Sequence, residues 1–99
     1  MRLPKAVGVL RRMRAARVRR LREAAGPLLA GSLVALPGHR SLYLTDKAGG
    51  KTRTLYVPLD LLEEVKRWNA RHREVKRLLA ELAEVQRALL VAEIRARRR

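Results

Sequence analysis

Residues 60–94 read DLLEEVKRWNARHREVKRLLAELAEVQRALLVAEI. Along this stretch, selected positions follow one another at alternating steps of four and three, the heptad spacing of a helix that keeps one face against a partner. These positions are Leu61, Val65, Trp68, His72, Val75, Leu79, Leu82, Gln86 and Leu89. Because such a helix would run for roughly 50 Å, the pattern predicts one long helix with more than one neighbour along its length.

The two ends of this predicted helix carry the charges that a helix dipole favours. Asp60 followed by Glu63 is typical of an N-cap with its capping-box partner, and Glu64 adds a second acid to the first turn. Residues 95–99 form a basic tail at the opposite end. The charges therefore favour a helix that begins at Asp60 and ends near Ile94.

The apolar face of the helix widens along its length. Up to about Arg73 it is narrow, and we expect this half to support a small sheet. From Val75 onward it is too wide for one neighbour, so we expect the N-terminal helix on one side and a second copy of the chain on the other. The homodimer interface predicted in this half comprises Val75, Leu78, Leu79, Leu82, Val85 and Leu89.

Residues 32–57 have the alternation of short strands. Runs at 32–36, 41–45 and 52–57 are separated by turns at 37–40 and 46–51, which predicts a three-stranded antiparallel meander. Pairing of Asp46 with Lys51 would place Leu42 opposite Leu55. The core face would then hold Leu42, Leu44, Leu55 and Val57, and the opposite face Ser41, Tyr43, Thr45, Thr52, Thr54 and Tyr56.

Residues 1–25 predict a basic helix that ends before Gly26-Pro27. Its apolar stripe includes Leu10 and Leu21, but Arg14 and Arg17 project into the same stripe. Three alternatives are open: these arginines pair with Glu74, Glu81 or Glu84, or they mark where packing stops and contact with a polyanion begins, or the segment is a solvated or frayed arginine-rich arm. The whole chain is thus predicted to be one α+β domain, residues 1–99, with a basic helix, a meander and a long helix.

The uncharged run at 24–38 imitates a secretory signal. Gly26-Pro27 and Gly31-Ser32 interrupt it, and it is too short to span a bilayer. We therefore expect a cytoplasmic protein with no membrane partner.

The net charge of +15, from 24 basic and nine acidic residues, is concentrated near the N-terminus. Residues 1–24 contain nine basic residues and one acidic residue. Such a field attracts polyanions. An arginine-rich composition set by a GC-rich genome is the alternative explanation.

Three groups of basic residues are candidates for nucleic-acid binding through phosphate. They are Arg11, Arg12, Arg19 and Arg22 on the first helix, Lys47, Lys51 and Arg53 near the hairpin tip, and Lys66, Arg73 and Arg77 on the long helix. With Tyr43, Tyr56 and Trp68 as the only aromatic residues, a stacking platform for single strands is poorly supported. We expect duplex or structured nucleic acid, with DNA favoured over RNA.

Catalytic and metal chemistry have little support in the sequence. There is no cysteine, and His39 and His72 lie far apart. Gly49-Gly50-Lys51-Thr52 lacks the first glycine of a Walker loop. The sequence thus predicts no enzyme, metal or cofactor. The competing hypothesis is a coiled-coil oligomerisation or scaffold protein that binds an acidic protein partner.

Several segments resemble a prokaryotic domain-of-unknown-function family of short open reading frames often found near transposable elements. They are LREAAGPLLAGSLV at 21–34, Leu42-Tyr-Leu, GKTRTLYVP at 50–58 and the leucine-rich helix that follows, so the similarity covers about Leu21 to Leu90. The resemblance implies a helix, hairpin, helix layout and a mobile-element context. Members usually carry a cysteine-rich turn between the first two strands, whereas this chain has only Pro37-Gly38-His39-Arg40 there.

Overall fold

A computed structural model describes residues 2–38 and 40–98, and it has the α+β layout that the sequence predicts. His39, in the predicted 37–40 turn, lies outside the described residues. The elements in chain order are helix α1 (Val7–Glu23), strands β1 (Ser32–Ala35), β2 (Leu42–Ala48) and β3 (Lys51–Val57), a 3₁₀ turn (Leu59–Leu61) and helix α2 (Leu62–Arg97).

The described residues divide into two compact units. The sheet unit comprises Gly26–Arg73, and the helical unit comprises the residues up to Ala25 together with those from Glu74 onward. Helix α2 contributes to both units, and the boundary falls at Arg73. This agrees with the predicted change in the role of the long helix near that residue.

The sheet unit contains the predicted antiparallel meander, with strand order β1-β2-β3. The predicted register was wrong by two residues, because Asp46 lies opposite Arg53 and Leu42 lies opposite Val57. The cause is a two-residue turn at Gly49 and Gly50, whose φ angles of 58° and 78° are those of a type I′ turn. This tight turn lets β2 continue to Ala48, where the prediction had placed a longer loop.

A register shift of two residues keeps every side chain on its predicted face. Leu44 and Val57 are buried and form the core of the sheet unit with Val65 of α2. Leu29, Leu33, Leu62 and Trp68 pack around this core. Leu55, predicted to be in the core, is 63% exposed because β3 is the edge strand and the core lies under β2 and the end of β3.

The segment between α1 and β1 is held against α2 within the sheet unit. Asn69 is buried, and its Nδ2 donates hydrogen bonds to the carbonyl oxygens of Leu29 at 2.9 Å and Gly31 at 2.8 Å. Arg71 Nη1 donates to the Pro27 oxygen at 3.0 Å. A Cβ on Gly31, which has a φ of 116°, would lie 2.7 Å from the Thr45 oxygen. Gly31 thus occupies a position under close backbone constraint.

In the helical unit, the buried face of α2 is centred on Leu78 and Val85, both 0% exposed. The predicted heptad face included Leu79 and Gln86 and had Leu78 and Val85 on its flank, but Leu79 and Gln86 are exposed. The buried face is therefore rotated about the helix axis from the predicted one, toward Leu78 and Val85. The rotation follows from packing against α1, whose contacts reach Glu74 and Glu81 beside this face.

The helix ends also differ from the prediction. Helix α1 begins at Val7 and ends at Glu23, inside the predicted range 1–25. Asp60 lies within the 3₁₀ turn and does not immediately precede α2. The predicted basic tail at 95–99 is helical through Arg97, and Arg99 lies outside the described residues.

Candidate nucleic-acid interface

Seven of the 17 residues of α1 are arginines, and the fold divides them into two sets. The inner set, Arg14, Arg17 and Arg20, faces α2 between Glu74 and Gln86. Arg17 Nε lies 3.3 Å from Glu81 Oε2, and Arg20 Nη2 lies 3.3 Å from Glu74 Oε1. Arg14 Nη1 donates to Gln86 Oε1 at 3.0 Å. Pairing with acids of α2, one of the three alternatives raised by the sequence, therefore holds for Arg17, while Arg14 meets a neutral amide.

Glu74 and Glu81 are also joined by Arg77 of α2 itself. Arg77 Nη2 lies 2.7 Å from Glu74 Oε1, and Arg77 Nη1 lies 3.0 Å from Glu81 Oε1. The hydrogen bond from Arg77 lowers the pKa of Glu74 below its ordinary value, and the positive charges of Arg77 and Arg20 act in the same direction. The guanidinium groups of Arg17, Arg20 and Arg77 thus share two carboxylates, an arrangement we call the carboxylate seam. The seam offsets part of the charge of the inner set, in which Arg14 bonds the neutral Gln86 instead.

The outer set comprises Arg11, Arg12, Arg19 and Arg22. All four are exposed, and none forms an ion pair with a carboxylate in residues 2–38 or 40–98. At about 100° per residue they fall within an arc of about 100°, and Arg11 and Arg22 are about 16 Å apart along the axis. We call this the outer arginine face. It presents four unneutralised guanidinium groups on one side of a rigid helix.

The predicted basic group near the hairpin tip does not converge on one surface. Lys47 pairs with Thr52 and Lys51 pairs with Ala48, so these two lysines belong to opposite faces of the hairpin. Arg53 lies on the Lys51 face, where both its Nε and Nη2 bond the Asp46 carboxylate, with Nε at 3.0 Å from Oδ1. This bond lowers the pKa of Asp46. The hairpin therefore offers one unpaired lysine per face.

The predicted basic group on α2 falls into different units. Lys66 and Arg73 belong to the sheet unit, and Lys66 Nζ lies 3.7 Å from Glu63 Oε1. Arg77 belongs to the helical unit and is engaged in the carboxylate seam. Of these three residues, Arg73 alone is exposed without an ion pair among the described carboxylates.

Two of the six residues of the predicted dimer interface are fully buried inside the chain. Leu78 and Val85 have no accessible surface, so they cannot contact a second copy in this fold. Val75, Leu82 and Leu89 are half-buried, and Leu79 is 53% exposed. Dimerisation remains a prediction, but these buried residues are excluded from its interface.

Three structural residues were not singled out from the sequence. Arg20 pairs with Glu74. Asn69 donates to the carbonyl groups of Leu29 and Gly31, and Arg71 donates to the carbonyl group of Pro27. A signal existed for Arg20, because it follows Arg17 by three residues and so falls on the same side of α1. The two α2 residues gave no such signal, because their acceptors are backbone atoms of a distant loop.

A cleft of 270 Å³ in the helical unit is lined by apolar residues together with Lys5, Glu84, Arg87 and Arg95. No group of three or more histidine, aspartate or glutamate side chains is placed to hold a metal ion within residues 2–38 and 40–98. In the same ranges, no helix has the length and apolar character needed to cross a membrane.

Comparison of the chain with protein-family models, curated proteins and solved structures found no match.

Proposed function

We propose that this protein is a small cytoplasmic nucleic-acid-binding accessory protein that contacts phosphates through the outer arginine face of α1. The observation that carries the proposal is the division of the α1 arginines. Arg14, Arg17 and Arg20 bond side chains of α2, whereas the outer four are left exposed. Burial or internal pairing does not explain the outer four, so their positive charge is available to an external polyanion.

The chemistry of these groups favours phosphate as the ligand. A guanidinium group presents a planar fork of donors that matches two phosphate oxygens. The outer arginine face extends for about 16 Å. Within each strand of a DNA duplex, successive phosphates are spaced about 3.4 Å apart along the duplex axis. One helix could therefore contact several phosphates without reading base identity.

The aromatic residues support duplex or structured nucleic acid over a single strand. Trp68 is half-buried against the core of the sheet unit. The rings of Tyr43 and Tyr56 contact each other edge to face, with centroids 5.8 Å apart. Tyr56 is 51% exposed, but a base-stacking platform needs several open aromatic faces. Phosphate contact is therefore the better-supported mode, with DNA ahead of RNA.

The second candidate function is an oligomerisation or scaffold protein without enzymatic activity. It is favoured by exposed apolar residues on α2, since Leu79 and Leu90 are each 53% exposed and Ile94 is 42% exposed. These side chains lie outside the seam with α1. A mobile-element context, implied by the sequence resemblance, is compatible with either candidate.

The proposal is tested with two double variants that remove the same charge. Binding of a duplex of about 20 base pairs is measured by fluorescence anisotropy from about 50 to 300 mM salt for the wild type, Arg12→Ala/Arg19→Ala and Lys47→Ala/Lys51→Ala. The wild type should lose affinity steeply as salt rises. The helix variant should bind roughly tenfold more weakly at low salt, with a salt slope reduced by about two, while the hairpin variant changes little.

Absence of wild-type binding at about 50 mM salt would exclude the function. Equal losses in the two variants would show attraction by net charge alone and would remove α1 as the specific contact. Parallel measurements with duplex RNA decide the preference between the two nucleic acids.

A further inference from the structure

Strand β3 leaves one edge of the sheet without a partner among the described residues. The strand order is β1-β2-β3, so β2 pairs on both sides and β3 pairs only with β2. All residues of β3 except Val57 are exposed. The unbroken register from Lys51 to Val57 shows no bulge, and the strand contains no proline. Among the features that commonly prevent an edge strand from pairing with another strand, β3 therefore has only the charges of Lys51 and Arg53.

The register identifies which backbone groups face outward. In a hairpin with a two-residue turn, the residues that flank the turn form a hydrogen-bonded pair, and such pairs then alternate along the strands. Here Ala48 and Lys51 flank the turn, so Lys51, Arg53, Leu55 and Val57 direct their N–H and C=O groups toward β2. The outward groups are those of Thr52, Thr54 and Tyr56.

The side chains beside this edge are also incompletely covered. Leu55 lies opposite Leu44 on the core face, yet Leu44 is 7% exposed and Leu55 is 63% exposed. A cleft of 410 Å³ beside them is lined mainly by Leu29, Ala30, Leu44, Leu55 and the Asp46–Arg53 pair. The apolar core face of the sheet thus extends from β2 to β3, where the side chain of Leu55 is exposed to solvent.

We propose that β3 pairs with β3 of a second copy, in antiparallel orientation, about a two-fold axis that passes between the two Leu55 residues. Thr54 of each copy would then form a hydrogen-bonded pair with Tyr56 of the other. The two Leu55 side chains would meet in the adjacent non-hydrogen-bonded pair, where side chains approach most closely. The two three-stranded sheets become one six-stranded sheet.

Two physical arguments favour a second copy over nucleic acid at this edge. A strand edge offers alternating donors and acceptors, whereas phosphates only accept, so nucleic acid would leave the carbonyl groups unpaired. The proposed register also avoids like charges. Arg53, bonded to Asp46, lies opposite Val57 of the second copy, whereas an axis at Arg53 would bring two guanidinium groups together.

The test measures oligomeric state and register. Sedimentation velocity from about 1 to 200 µM should show a dimer for the wild type. Leu55→Glu should be monomeric with unchanged circular dichroism, because the side chain is already exposed. Thr54→Pro should also be monomeric, because it removes an outward N–H and no bond to β2. Leu90→Glu is the matched control, since Leu90 is 53% exposed in the helical unit, and it should remain dimeric.

Single cysteines then locate the axis, because the natural chain contains none. Oxidised Leu55→Cys should form a disulfide-linked dimer rapidly, since Cα atoms of a non-hydrogen-bonded pair are about 4.5 Å apart, within disulfide reach. Thr52→Cys should crosslink at least tenfold more slowly. A wild type that stays monomeric at about 200 µM, or a dimer abolished by Leu90→Glu and retained by Leu55→Glu, would overturn the assignment.

Discussion

Arg17 of α1 and Glu81 of α2 form an ion pair whose side chains are 27% and 23% exposed, with Nε to Oε2 at 3.3 Å. The pair joins residues 64 positions apart within the helical unit. Because both groups are partly withdrawn from water, it belongs to the stronger end of surface ion pairs. The docking of a highly basic helix is thus coupled to a specific carboxylate.

Replacing Glu81 with Gln should destabilise the protein by about 1 kcal/mol, because Arg17 and Arg77 both lose a charged acceptor. The measurement is urea unfolding followed by circular dichroism. A double-mutant cycle with Arg17→Ala should give a coupling free energy of about 0.5–1 kcal/mol. Glu93→Gln is the control and should have almost no effect, since Glu93 is 60% exposed and its ion pair is with Arg97, which is 78% exposed. Equal effects of the two glutamine variants would contradict the prediction.

Acidification should weaken the helical unit through Glu74. Its pKa in the folded protein is lowered, chiefly by the hydrogen bond from Arg77. A lowered folded-state pKa contributes stability above the ordinary carboxyl value of about 4.3, and this is lost as the pH falls through the folded value. The melting temperature should therefore decline as the pH falls below the ordinary value.

Glu74→Gln is the control for this pH dependence. The variant lacks the titrating group, so its melting temperature should fall less between neutral and acidic pH than that of the wild type. In the sheet unit, a hydrogen bond from Arg53 lowers the pKa of Asp46, so Asp46 also adds to the loss of stability in acid. Asp46 is present in both the wild type and Glu74→Gln, so its contribution does not affect the comparison. Identical pH profiles would show that Glu74 has no role in acid sensitivity.

Two glycine substitutions should change stability in opposite directions. Gly31→Ala should destabilise the fold by about 2 kcal/mol or more, because Gly31 has a φ of 116° and its Cβ would lie 2.7 Å from a backbone oxygen. Gly8→Ala should stabilise it by about 0.5 kcal/mol, since Gly8 is helical and its Cβ would lie 3.8 Å from the nearest group, the Arg12 side chain. The melting temperatures of both variants, measured by thermal unfolding, should shift in opposite directions. A lower melting temperature for Gly8→Ala would argue against a helical backbone at Gly8.

Asn69→Ala should cost about 2 kcal/mol, because the carbonyl groups of Leu29 and Gly31 lose their donor beside a buried position. Asn69→Asp should be at least as damaging at neutral pH, since a carboxylate would face two carbonyl oxygens. Gln86→Ala, which removes an exposed amide, should cost less than about 0.5 kcal/mol. Chemical unfolding of the three variants provides the comparison, and a neutral Asn69→Ala would disprove the bracing role of this side chain.

The sequence predicted the fold where the signal was local. Heptad and alternating patterns located α2 and the three strands because side-chain periodicity follows directly from helix and strand geometry. The strand register escaped prediction because a loop from Asp46 to Lys51 and a tight Gly49-Gly50 turn satisfy the same alternation. A local pattern does not specify which of two turn lengths the backbone adopts.

The candidate site was predictable only in part. The outer arginines were recognised from their helical spacing, and the exposed positions agree with it. The buried face of α2 was not recognised. Leu78 and Leu79 are both apolar, and only packing against α1 determines which of the two is buried. The neutralisation of Arg53 by Asp46 likewise depended on the strand register.

The long sequence separation of the contacts between α1 and α2 also predicts the order in which the elements fold. The residue pairs of the β2–β3 hairpin are between three and 15 positions apart, whereas the three inner arginines reach partners 54, 64 and 72 positions away. Hairpins form in about 1–10 µs, and closing longer loops carries a larger entropic cost. We therefore expect α1 to dock last, which pulse-labelled hydrogen exchange would detect as late protection of α1. Until that step, all seven of its arginines are open to any polyanion that the nascent chain encounters.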